Sequence, residues 1–152
     1  QKPKQRAVIV YDSMWGSTGI MASAIASGLE DEGVPVRIID IQKNHHSDVM
    51  TELADCGAVI VGSATHNNNV LPGIADVLTY MKGLRPLNRV GAAFGSYGWS
   101  GESPKIIQEW LASMNMDMPA DPVKCLFVPK HEGLSQCVAL GKTVAEALKA
   151  KC

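Results

Sequence analysis

Continuous apolar runs and stretches of helical period alternate along the chain. The runs lie at 6–11, 35–41, 57–62, 89–95 and 123–128. Ala7-Val8-Ile9-Val10, Ala58-Val59-Ile60-Val61 and Val90-Gly91-Ala92-Ala93-Phe94 carry no polar side chain on either face, the pattern of parallel strands covered on both sides. The run at 35–41 begins at Pro35 and includes Arg37 and Asp40, which suits a strand at the edge of a sheet.

Between the runs the period changes. Residues 17–32 set Met21, Ile25 and Leu29 on one stripe, and Gly33 supplies a stop. In 73–82, Ile74, Val77, Leu78 and Met81 fall at i, i+3, i+4 and i+7, an amphipathic helix. Residues 104–114 repeat the pattern with Ile107, Trp110, Leu111 and Met114; Ser103 is expected as the cap and Pro104 as the first helical residue. Residues 134–150 carry Val138, Gly141, Val144 and Leu148, with Lys149 and Lys151 complementing the negative end of the helix dipole. Residues 44–55 read as a weaker helix.

Repeated strand–helix units predict an α/β fold: a doubly wound five-stranded parallel sheet, order 2-1-3-4-5, with helices on both faces. Such a sheet binds ligands outside the carboxyl ends of strands 1, 3 and 4. Residues 7–152 read as one domain without internal repeats. Residues 1–6, polar and containing Pro3, read as the remnant of a linker.

Composition narrows the partners. The 152 residues suffice for one real core, and 46% apolar with 19% charged residues is a globular balance. A net charge of −1 provides no basic excess to displace counterions from a nucleic acid. No stretch approaches the roughly 20 apolar residues of a membrane span, and the first residues do not resemble a secretory signal. Cys56, Cys125, Cys137 and Cys152 form no C-x-x-C pair and read as reduced thiols of a cytoplasmic protein. His45, His46, His66 and His131 are not grouped with acids, so no metal site is expected.

The rule of carboxyl ends selects three loops, at 12–18, 63–70 and 95–102. The first combines Ser13, Ser17 and Thr18 with Gly16 at a helix start. Exposed N–H groups and the helix dipole favour an anion there, and the hydroxyls add donors. No Lys or Arg occurs between Ala7 and Val36, so a phosphate would be held by dipoles and hydroxyls alone. The Walker and dinucleotide glycine motifs are both absent. The same residues would also serve as an ordinary helix cap.

Three of the eight aromatic residues, Trp15, Tyr97 and Trp99, fall in loops at this one end of the sheet. Exposed aromatic planes around a crevice can sandwich a flat ring system, or each can fold back on its own loop. Ser63, Thr65, Asn67 and Asn68 could read the edge of a heterocycle, or simply build an Asn-rich turn. His66 is given no proton-transfer role.

Ser13-Met14-Trp15-Gly16-Ser17-Thr18 resembles the phosphate loop of flavodoxins, with Trp15 in place of its middle Thr. Gly62-Ser63-Ala64-Thr65-His66-Asn67 resembles the Gly-Ser-Pro-Thr-x-Asn loop of the flavodiiron proteins (A-type flavoproteins), with Ala64 where proline is common. Gly95-Ser96-Tyr97-Gly98-Trp99-Ser100-Gly101 is similar to the third flavin loop of that family. The resemblance spans essentially the whole chain.

It implies tight, non-covalent binding of flavin mononucleotide (FMN) by Ser13, Met14, Trp15, Gly16, Ser17 and Thr18 in the first loop. Ser63, Ala64, Thr65, His66, Asn67 and Asn68 would contribute from the second, and Ser96, Tyr97, Gly98, Trp99, Ser100 and Gly101 from the third. In that family the flavin relays electrons from a donor such as rubredoxin to a diiron centre, which reduces dioxygen or nitric oxide. The diiron centre belongs to a metallo-β-lactamase-like domain whose H-x-E-x-D-H run is absent here. The chain is therefore expected to be the relay half, with no catalytic side chain, and to form a homodimer in the full-length protein.

Residues 63–71 and 95–101 contain no Asp or Glu. One carboxylate at about 5 Å and an effective dielectric near 20 matters by roughly 3 kcal/mol before screening. The second reduction step is therefore expected at a less negative potential than in acidic flavodoxins, unless Asp12 or Glu102 turns toward the ring.

Three other readings compete. A free-standing flavodoxin shuttle shares fold and cofactor. A receiver domain shares the strand order but needs a phosphoacceptor Asp after strand 3, where Gly62-Ser63 stands, and a Lys after strand 5, which Lys130 only partly supplies. A flavin-dependent quinone reductase would want a nicotinamide-binding insertion, and none is evident.

Overall fold

Each apolar run becomes a strand. The computed structural model describes residues 5–12, 16–44, 46–66, 69–84, 89–97, 102–126 and 131–151. The strands are β1 (Ala7–Asp12), β2 (Val36–Asp40), β3 (Ala58–His66), a short β4 (Asn69–Val70), β5 (Val90–Tyr97) and β6 (Val123–Leu126). Between them lie α1 (Ser17–Asp31), α2 (His46–Ala54), α3 (Pro72–Leu84), α4 (Glu102–Ser113) and α5 (His131–Lys151). The main sheet is parallel in the order β2-β1-β3-β5-β6, which is the expected 2-1-3-4-5 arrangement once β4 is set aside. β4 pairs antiparallel with the end of β3, Thr65 opposite Val70.

Alternation along the strands divides the core in two. Ala7, Ile9, Ala58, Ile60, Ala92 and Phe94 face α1 and α5, joining Met21, Ile25, Leu29, Val144 and Leu148. Val8, Val10, Val59, Val61 and Ala93 face the other way, against Ile74, Leu78, Ile107 and Leu111. Both faces of the central strands are therefore dry, which explains their unbroken apolar runs.

α1 and α5 cross where each carries a glycine. A Cβ at Gly28 would overlap the Val138 carbonyl oxygen, and one at Gly141 would overlap that of Ile25. α1 then ends on Gly33 (φ 77°), with Gly33 N–H donating to Glu30 O at 2.9 Å and Val34 N–H to Leu29 O at 3.1 Å. At the same end of the sheet, the Arg6 carbonyl accepts from the N–H groups of Gly57 and Ala58, and its guanidinium pairs with Glu52 and Asp55.

Two expectations shift. β3 runs to His66, beyond the apolar run at 57–62, because β4 gives its polar end a partner. α4 starts at Glu102, which places Ser103 inside the first turn instead of at the cap. The reason is a cap supplied from elsewhere: Ser103 N–H donates to Thr65 Oγ1 at 3.1 Å.

Candidate functional site

The carboxyl ends of β1, β3 and β5 come together because these strands are neighbours in the sheet. Directly beyond β1, Gly16 adopts the left-handed conformation (φ 86°) as the N-cap of α1. A glycine cap adds no side-chain oxygen to the first turn, and none of the described residues lies within 4 Å of where its Cβ would stand. Ser17 and Thr18 follow, both buried, and the first turn of α1 contains no acid.

Thr18 reaches across the sheet. Its Oγ1 lies 2.8 Å from Ser96 Oγ on β5, and both residues are buried. That bond ties the start of α1, which follows the first loop, to the strand that leads into the third. Behind it, the Tyr11 hydroxyl packs where a Cβ at Gly19 would approach to 3.1 Å. Burial, and then the Asp40 carboxylate hydrogen-bonded to it, hold the Tyr11 phenol above its ordinary range. Asp40 Oδ1 accepts from Gln42 N–H at 3.0 Å, and Gln42 Nε2 donates to Asp12 Oδ1 at 2.5 Å. The other Asp12 oxygen faces α3, 2.9 Å from where a Gly73 Cβ would sit. Asp12 is thus held between the turn after β2 and the first turn of α3.

The middle loop is pinned by its own serine. Ser63 is fully buried; its hydroxyl donates to Ala64 O at 2.8 Å and accepts from Leu71 N–H at 2.9 Å. Ser103 Oγ donates to Ser63 O at 2.9 Å, closing the second loop against α4. Gly95 makes room for this meeting: a Cβ there would overlap Ser63 O and stand 2.7 Å from Ser103 Oγ. Gly62 likewise lies under the Phe94 ring. Ala64 is buried and Thr65 half-buried.

At the end of β5, Lys124 Nζ sits 6.0 Å from the centroid of the half-buried Tyr97 ring. Glu102 opens α4 with Oε2 buried and without a hydrogen-bond partner among the described residues. Ser13, Met14, Trp15, Asn67, Asn68, Gly98, Trp99, Ser100 and Gly101 lie outside the described residues, and His66 is described in its backbone alone.

The structure therefore brings together Gly16, Ser17, Thr18, Ser63, Ala64, Thr65, Ser96 and Tyr97. Sequence reasoning missed the parts played by Gly62, Gly95, Ser103 and the Tyr11–Asp40–Gln42–Asp12 chain. Small residues flanking a buried serine were the only available signal for them, since the contacts join distant segments. The left-handed Gly16, hydroxyl residues in the following turn and the lack of an acid there fit a monoanionic or dianionic head group such as a phosphate ester.

Residues 9–141 match the flavodoxin family. The chain belongs to the flavodoxin family. Rubredoxin-oxygen oxidoreductase of Megalodesulfovibrio gigas is 54% identical over 151 residues, covering 99% of this chain and 38% of that protein. The solved rubredoxin oxygen:oxidoreductase from Desulfovibrio gigas superposes with a TM-score of 0.96 over the same shares at 54% identity. The flavodiiron protein from Giardia intestinalis is 28% identical with a TM-score of 0.92, covering 100% of this chain and 38% of its own. A flavodoxin from the domain Archaea matches nearly end to end, 95% of this chain and 99% of that one, at 36% identity and TM-score 0.85.

This flavodoxin-like domain is thus of the kind found in flavodiiron proteins, as its three loop motifs implied. It spans 38% of the length of the curated oxidoreductase it matches. Flavodoxin folds bind flavin, generally FMN. The family match removes the receiver-domain reading. No described helix is long and apolar enough to cross a membrane.

Proposed function

We propose that this domain binds FMN and relays electrons from a rubredoxin-like donor to the diiron centre of a flavodiiron oxygen or nitric oxide reductase. The diiron centre would lie on a metallo-β-lactamase-like domain of the same protein, working in the cytoplasm as a homodimer. The observation that supports this reading is the Thr18–Ser96 contact, which joins the start of α1 to β5 at the carboxyl edge of the sheet.

Bound FMN would supply the transfer of one or two electrons. The first turn of α1, opened by Gly16, would take the phosphate through backbone N–H groups, with Ser13 and Ser17 adding hydroxyl donors. Thr18, whose hydroxyl meets Ser96, would fix the position of that turn. Thr65 and the asparagines after it would meet the polar edge of the ring. Trp15, Tyr97 and Trp99 would cover its faces and exclude water. No side chain is required as nucleophile or general base.

The test is to release and weigh any chromophore, then titrate the colourless chain with FMN and with riboflavin. FMN should bind at one equivalent, and riboflavin, which lacks the phosphate, about a hundredfold more weakly. A colourless protein indifferent to FMN overturns the proposal. The end-to-end match to an archaeal flavodoxin favours one second reading, a free-standing electron shuttle. A native protein of this length alone, found in its own cells by intact mass, would establish that reading.

A further inference from the structure

The three loops at 12–18, 63–70 and 95–102 contain no Lys or Arg. The sheet brings a cation to them from outside. Lys124 lies on β6, in register with Gly95 on β5, while Tyr97 stands opposite Leu126. Side chains alternate along a strand, so Lys124, Gly95 and Tyr97 share one face of the sheet. Gly95 has no side chain to fill the place beside Lys124, and the lysine reaches along the strands to Tyr97. Its Nζ stands over the half-buried Tyr97 ring, 6.0 Å from the centroid. Among the described residues no carboxylate forms an ion pair with Lys124.

We propose that Lys124, seated over one face of the Tyr97 ring, is a positioning residue of the crevice: it holds the phenol as a stacking plane for a bound isoalloxazine and favours the reduced, anionic flavin. The proposal rests on the FMN reading of the site and adds a residue that the loop motifs do not contain. A cation on one face of an aromatic ring directs a flat stacking partner to the other.

Two effects act in the same direction. The ammonium draws the π electrons of Tyr97 toward itself, so the face turned away is less electron-rich. Such a face repels an electron-rich reduced flavin less than an unperturbed phenol does. The charge itself also attracts the negative charge that the second electron brings. Lys124 is exposed, so salt screens this direct attraction, whereas the contact with the ring persists. Arginine keeps the charge and stacks on aromatic faces, so it can replace lysine here. Lys82 is the internal comparison. Its Nζ stands 5.4 Å from the Trp110 centroid, toward the carboxyl ends of α3 and α4 and away from the crevice where both helices begin.

The flavin-loaded chain is titrated in about 0.5 M salt, which screens the direct attraction. In Lys124→Met the second reduction should move to a more negative potential, so that at a fixed potential the ratio of fully reduced flavin to its precursor falls several-fold. Lys124→Arg should restore the ratio, and Lys82→Met should leave it unchanged. In a Tyr97→Leu background the loss of Lys124 should have a much smaller effect, because the ring that carries it is gone. An unaltered potential in Lys124→Met, or an effect equally large without Tyr97, overturns the proposal. The flavin-free chain gives a second readout by NMR with ring-labelled tyrosine. Lys124→Met should shift the Tyr97 signals and leave those of Tyr11 and Tyr80 in place; unmoved Tyr97 signals overturn the assignment. A parent chain that binds no FMN defeats the flavin reading instead, and the Tyr97 signals then still decide whether Lys124 holds the ring.

Discussion

Thr18 Oγ1 and Ser96 Oγ lie 2.8 Å apart, although 78 positions separate them in the chain. Each hydroxyl is buried, so each needs the other. Thr18→Val keeps the shape but leaves Ser96 without its partner, and should cost about 1–3 kcal/mol of stability. Adding Ser96→Ala should cost less than the sum of the single changes, as urea denaturation of the four-member cycle will show. FMN should leave both single variants faster than it leaves the parent protein.

The glycine crossing of α1 and α5 makes a sharper prediction. Gly141→Ala places a methyl group on the Ile25 carbonyl oxygen, which belongs to backbone and cannot step aside. The helices must separate, with an expected loss of about 1–3 kcal/mol. Thermal melting should show the drop, while Gly83→Ala, where none of the described residues lies within 4 Å of the new Cβ, should not destabilise α3.

Gly95 serves the site more than the core. Gly95→Ala presses against Ser63 O and Ser103 Oγ, and so disturbs the closure of the second loop on α4. FMN affinity should fall by at least about tenfold, corresponding to roughly 1.4 kcal/mol. Ser103→Ala, which removes only the bond to Ser63 O, should cost about 1 kcal/mol of stability. Equilibrium titration of FMN alongside urea denaturation separates the two effects.

Stability should fall on the alkaline side. Burial raises Cys56 to about 11 and Cys137 to about 12 from an ordinary 9.0, and raises Tyr11 above 10.0. Between the ordinary and raised values the folded chain holds protons that the unfolded chain has released. The stabilisation is therefore complete below about pH 9 and is lost as pH rises through the raised values. Urea midpoints should decline steadily from about pH 9 upward, and the decline should be shallower in Cys137→Ala.

Glu102 is the acid left at the rim once Asp12 is held by Gln42 and α3. Its carboxylate opposes added negative charge on a bound flavin. Glu102→Gln should make the second reduction potential less negative, read by a redox titration. An unchanged potential would place Glu102 outside the reach of the ring.

The fold was legible because its signals are local. The unbroken apolar runs at Ala7–Val10, Ala58–Val61 and Val90–Phe94, with helical stripes between them, suffice for a doubly wound parallel sheet. The stripe of Met21, Ile25 and Leu29 lies fully buried where its spacing put it. That Thr18, Ser63 and Ser96 would gather at one end of the sheet was legible for the same reason, since the carboxyl ends of neighbouring strands follow from strand order. Ser103 shows the limit: within its own segment it reads as a helix cap, yet Thr65 supplies the cap and Ser103 bonds to Ser63.

The chain's order of residues by itself determined the strands, the helices and the family motifs, because each depends on neighbours within one or two turns. Only the tertiary structure decided which hydroxyl meets which and why Gly28, Gly95 and Gly141 must be bare. Those outcomes depend on contacts between segments far apart in the chain, and such contacts exist only after the sheet has brought the segments together.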